Sequence, residues 1–166
     1  FRLGLAVLAL LVFRLLWGVV GGRWSRFASF VYAPATLLRY VRGRALPQEH
    51  LDVGHSPTGA LSVFALLGLL AVQVATGLVA DDEIASTGPL VRFVESATSL
   101  AATSWHKSWG QWLLLGLVAL HVAAIAVYRL VHRRDLVTPM LVGDKPLPPD
   151  VPASADHAGR WGLALT

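Results

Sequence analysis

Histidine is the only strong metal-binding residue in this 166-residue chain; it has six histidines and no cysteine. The lack of cysteine excludes disulfides, iron–sulfur ligation and covalently attached c-type haem. Two histidines stand apart. His106 and His121 lie in WHKSWGQWLLLGLVALHVAAIAVYR, Trp105 to Arg129, which is apolar over most of its length. An ionisable side chain held in lipid is expensive and usually has a specific job. The two histidines are 15 residues apart. On an ideal helix that is about 22 Å along the axis and about 60° around it. Imidazoles at one depth can share a metal, but imidazoles so far apart cannot. Each therefore needs its own cofactor and its own second ligand from another helix.

Imidazole ligates haem iron directly. An iron held by two histidines has no open position, so it passes electrons and does not bind oxygen. His106, beside Lys107, sits near one interface, and His121 lies about 12 Å from the other end of its helix. The pair matches one haem near each membrane face. Two other readings stay open here: polar residues bonding across helices, and a proton relay at His121. A relay predicts acidic residues at membrane depth, and none of the three apolar segments contains Asp or Glu.

The elements that must position these residues follow from composition. The chain is 55% hydrophobic and 14% charged, with a mean hydropathy of +0.59; soluble domains carry about 25% charged residues. This places it in the membrane class. The net charge of +4 does not signal nucleic acid, because Lys and Arg flank apolar segments as membrane topology requires. The expected fold is an all-α integral membrane helical bundle. Three spanning helices are expected at about 3–20, 58–80 and 105–131, within a membrane domain at 1–145, followed by a Pro-rich tail at 146–166 whose final WGLALT resembles the start of a further helix.

The first segment holds Arg14, which either snorkels to the interface or pairs with a buried anion such as a haem propionate. Loop 21–57 interleaves arginines with aromatics, as a surface-lying loop does, with a short interfacial helix expected at Ala35–Val41. It contains His50 and His55, and GHSP carries His55 directly into the next helix. In the second segment Gly59, Gly68 and Gly77 allow close helix packing, or gaps that admit a flat porphyrin; Gln73 and Thr76 are expected to bond to a neighbouring helix. Loop 81–104 is acidic, and Thr87 with Pro89 marks a short helix start. His132 sits among arginines at headgroup level, and His157 has no partner pattern. The positive-inside rule places loop 21–57 and the segment after 129 in the cytoplasm, and loop 81–104 on the periplasmic side. The chain begins inside an apolar segment without a charged n-region, so an upstream part is expected.

The runs FRLLWG…GGRWSRFASFVYAP, GHSPTGALSVFALLGLLAVQVATGLVADDE and WHKSWGQWLLLGLVALHVAAIAVYRLVHRRDLVTPMLVGDK together resemble the bacterial cytochrome b561 family. They are most similar to the b-type cytochrome subunits of nickel–iron hydrogenases. The likeness extends to about Lys145 and is specific in the order and combination of motifs. It implies a four-helix core and two haems b, each held by two histidines, with His106 and His121 matching the ligands of the last core helix. Arg14 and His55 become propionate or neighbouring contacts. The resemblance implies that the family's first helix would lie upstream of Phe1. The ligand that opens its second helix would fall just before Phe1, four residues ahead of Gly4. By depth, His106 would pair with that ligand and His121 with the upstream helix.

The expected function is a di-haem b-type cytochrome of the bacterial inner membrane. It would carry electrons between the quinone pool and an external redox partner, either a dehydrogenase such as hydrogenase or a c-type cytochrome. It would be one subunit of an oxidoreductase system, in a homo- or hetero-oligomer, with quinone as a further ligand. The alternative is a haem-free membrane anchor for a peripheral enzyme.

Overall fold

The computed structural model describes residues 2–46, 49–51, 53–84, 86–143, 145–147, 149 and 151–154; His157 and the terminal WGLALT lie outside the described residues. The described chain is all-α. Its helices are α1 (Arg2–Val20), α2 (Pro34–Val41), α3 (Pro57–Val79), α4 (Ser96–Trp105), α5 (Gln111–Leu130) and α6 (Val137–Val142). A π-helical turn at His106–Gly110 joins α4 to α5. Arg2–Val20, Pro57–Val79 and the 35-residue rod Ser96–Leu130 are each long and apolar enough to cross a membrane.

Local chemistry sets the helix ends. α1 stops at the Gly21–Gly22 pair, where the Gly21 N–H donates to the Trp17 carbonyl at 2.9 Å. Pro34 and Pro57 occupy first-turn positions, where a missing N–H costs nothing. Ser56 caps α3, its hydroxyl accepting the Gly59 N–H at 3.2 Å. α2 ends ahead of Gly43, whose φ of +67° suits a helix C-terminus.

The third helix differs from expectation. It begins at Ser96, so the loop before it ends about nine residues sooner than hydropathy suggests. α5 alone covers about 30 Å, the thickness of the hydrocarbon core. The preceding SATSLAATSW is helical for a different reason: its polar side chains are consumed by the end of α3. The Ser99 hydroxyl donates to the Val79 carbonyl at 2.9 Å. Thr103 accepts from the Asp81 N–H at 2.8 Å and bonds the Asp81 carbonyl at 3.0 Å. The connecting loop also turns back on α3, with Gly88 and Leu90 donating to the carbonyls of Ala80 and Leu78. No side chain fits at Gly88, where a Cβ would fall 2.2 Å from the Leu78 oxygen. The helix expected from Thr87 and Pro89 is absent; Val91–Phe93 forms one 3₁₀ turn.

The chain divides into two compact units. One comprises Phe1–Leu11 with Ala65–Leu141, the other Val12–Phe64 with Val142–Thr166. The second unit has an aromatic centre. Phe30, only 1% exposed, packs against Phe27, Phe64 and His55. Gly18 lets the Phe27 ring lie directly on α1, because a Cβ there would sit 2.1 Å from it. Arg39 of α2 pairs with Glu49, and Trp24 Nε1 donates to the Pro152 carbonyl at 3.2 Å. In the first unit Trp109 and Trp112 are 69% and 68% exposed.

Candidate cofactor site

A cavity of about 440 Å³ lies within the first unit. Leu3, Gly4 and Val7 of α1 form part of its wall, and Leu70, Val74 and Leu78 of α3 form another. His106 and Lys107 of the π turn complete it, and His106 is the one histidine among its described lining residues. At the rim the Lys107 ammonium lies 3.8 Å from the Asp82 carboxylate. Asp82 is held by N–H bonds from Ile84 and Ser86 at 3.1 and 2.8 Å.

The His106 ring is fixed by α3. Its Nδ1 lies 2.9 Å from the Gln73 backbone carbonyl and 3.3 Å from the Thr76 hydroxyl. A carbonyl oxygen only accepts, so Nδ1 carries a proton, and in the neutral ring Nε2 is the nitrogen with a lone pair. Metal-bound histidines have this arrangement, with the far ring nitrogen donating to a carbonyl that fixes tautomer and orientation. Gly77 provides the space, since a Cβ there would lie 2.8 Å from His106 Cε1. An apolar cavity of ligand size with one oriented imidazole and a cation at its rim fits haem b. His106 would ligate the iron, and Lys107 is placed to meet a carboxylate. Bound haem b supplies a one-electron couple.

The structure separates the other expected site residues. His121, half-buried on α5, does not line this cavity. Arg14 and His55 lie together in the second unit. The Arg14 guanidinium sits 5.0 Å above the Phe27 ring and donates to the Ser25 carbonyl at 3.3 Å. His55 stacks on Phe30 at 4.5 Å, and its carbonyl accepts the Tyr32 hydroxyl at 2.8 Å. Burial, then the nearby positive charge of Arg14, pushes the His55 imidazole below its ordinary pKa. It is therefore a neutral group packed into the aromatic centre. His132 is exposed and stacks on Tyr128 at 5.3 Å. His50 has a φ of +45° and does not line the cavity.

Three contributors were not legible as site residues. Gln73 and Thr76 are only isolated polar positions in an apolar helix, and the one signal available is that such groups bond across helices. Gly77 shares its composition cue with Gly59 and Gly68. Neither of those lines the cavity, and Gly68 faces open space. Among the described residues no group of three or more His, Asp or Glu side chains converges. Curated proteins and solved structures gave no match. The family model described as prokaryotic cytochrome b561 matches residues 1–143, and the chain belongs to this family of membrane b-type haem electron-transfer proteins.

Proposed function

We propose that the chain is a di-haem cytochrome relaying electrons between membrane quinone and a redox partner outside the membrane, with His106 and His121 as axial ligands to separate haems. The observation that carries this reading is the His106 imidazole, lining an apolar cavity with its Nδ1 tied to the Gln73 carbonyl. His121 follows 15 residues along the same helix, too far along the axis to serve the same iron. Arg14 meets a carbonyl and an aromatic face, with no carboxylate partner among the described residues. It is proposed to balance a haem propionate beside His55.

Arginines in 21–57 and 129–134 set these segments on the cytoplasmic side of the bacterial inner membrane, and the acidic loop before Ser96 on the periplasmic side. The acidic loop is then the docking face for the external partner, a dehydrogenase, a hydrogenase or a c-type cytochrome. The test is the reduced-minus-oxidised spectrum and haem-to-protein ratio of the purified protein with His106→Leu and His121→Leu. Each substitution is expected to remove about half of the haem b bands, one of two sites. Full haem content in either variant would remove that histidine from the ligand set.

A further inference from the structure

We infer that Gln73 is the positioning residue for His106, acting through the π turn His106–Gly110. This rests on His106 being a haem ligand. Gln73 holds that residue at two points. Its backbone carbonyl receives the His106 Nδ1–H at 2.9 Å, and its side-chain Nε2 donates to the His106 carbonyl at 2.8 Å. A π turn carries one residue more than an α turn and is frequently found at functional sites. Here it opens a gap at Gly110, and the Gln73 amide fills it: a Cβ on Gly110 would lie 2.0 Å from Gln73 Oε1 and 2.9 Å from Trp105 Nε1.

Energetics argue against a purely stabilising role. Among the described residues, Gln73 Oε1 and Trp105 Nε1 are both buried without a hydrogen-bond partner. Leaving a buried donor or acceptor unpaired is costly, and an apolar side chain at 73 would avoid that cost for the amide oxygen. What the amide gives in return is its hold on the His106 carbonyl. The π turn resets the phase of the helix. Read as continuous α-helix, the 15 residues from His106 to His121 leave them about 60° apart. With one residue absorbed by the π turn, the spacing behaves as about 14 residues, roughly 40° short of four full turns. His106 is thus rotated by about one residue relative to α5, towards α3, and the Gln73 amide holds it there.

The test uses the full-length holoprotein with Gln73→Leu and, separately, Gly110→Ala, which keeps Gln73 but expels its amide from the gap. In Gln73→Leu the low-spin haem EPR signal of the His106 site is expected to shift. Haem loss to a scavenger should become about tenfold faster, the scale found when outer partners of metal ligands are removed. Thermal stability should stay close to wild type. Gly110→Ala should give the same two changes, and carries the test if Gln73→Leu does not fold. Wild-type EPR signal and haem retention in a folded variant of either kind would overturn the positioning role. His106→Leu separates this from the ligand assignment. If it keeps its full haem, the ligand reading fails. If it loses haem while the other two variants match wild type, only the role of Gln73 fails.

Discussion

The imidazole of His106 occupies space that exists only because residue 77 has no side chain: a Cβ on Gly77 would lie 2.8 Å from Cε1 and 3.2 Å from Nδ1. Glycine inside a helix normally costs about 1 kcal/mol relative to alanine. Gly77→Ala is therefore expected to leave helix content intact or slightly raised while the ring is forced off the Gln73 carbonyl. The haem-to-protein ratio should fall with circular dichroism unchanged. Wild-type haem content in this variant would mean that the ring has room to spare.

The end of α3 depends on one hydroxyl. Thr103 bonds both the N–H and the carbonyl of Asp81, and valine keeps its shape but not its oxygen. Thr103→Val should cost about 1–3 kcal/mol, the scale for leaving buried partners unpaired. Thermal unfolding in detergent measures this, and a midpoint equal to wild type would show that water replaces the hydroxyl.

His55 gives a pH dependence with a definite sign. Burial lowers its pKa below the ordinary 6.5, so within that window the unfolded chain binds the proton more readily than the native protein. Stability then rises with pH, is complete above the unfolded value, and is lost as pH falls through the folded one. Between about pH 8 and pH 5, the range in which imidazoles titrate, the unfolding midpoint should drop on acidification. His55→Gln should show a smaller drop. An identical pH profile in the two proteins would place the titration elsewhere.

Arg14 is testable through potential. A fixed cation disfavours the oxidised, more positive state of a nearby haem. Arg14→Met keeps the apolar stem and removes the charge, so the midpoint potential of one haem should fall. Arg14→Lys should fall less. Redox titration in which both potentials match wild type would exclude Arg14 as a propionate partner.

Much of this organisation is legible in residue types. Long runs without acids mark the three apolar helices; of the two histidines that stand out in the third apolar segment, His106 lines the cavity and His121 does not. The start of the third helix is not legible, because Ser99 and Thr103 look like loop residues until their hydroxyls are seen closing the end of α3. The π turn is hidden for a different reason. HKSWG has no proline, and its His, Lys and Ser read only as the polar start of the apolar run; the turn shows itself where the Gln73 amide meets the His106 carbonyl. Arg14 and His55 are separate suspicions in the sequence; the packing of Phe27 and Phe30 brings them into one cluster.

The cavity walls come from distant parts of the chain: Leu3, Gly4 and Val7 at one end, His106 and Leu114 at the other. During synthesis at about 5–20 residues per second, the roughly 100 residues between them take about 5–20 s to appear. Until then the apolar wall on α1 faces lipid or the insertion machinery, and no imidazole stands opposite it. On the proposed assignment of His106 as a haem ligand, cofactor loading at this site is a late event, timed by the arrival of the third helix.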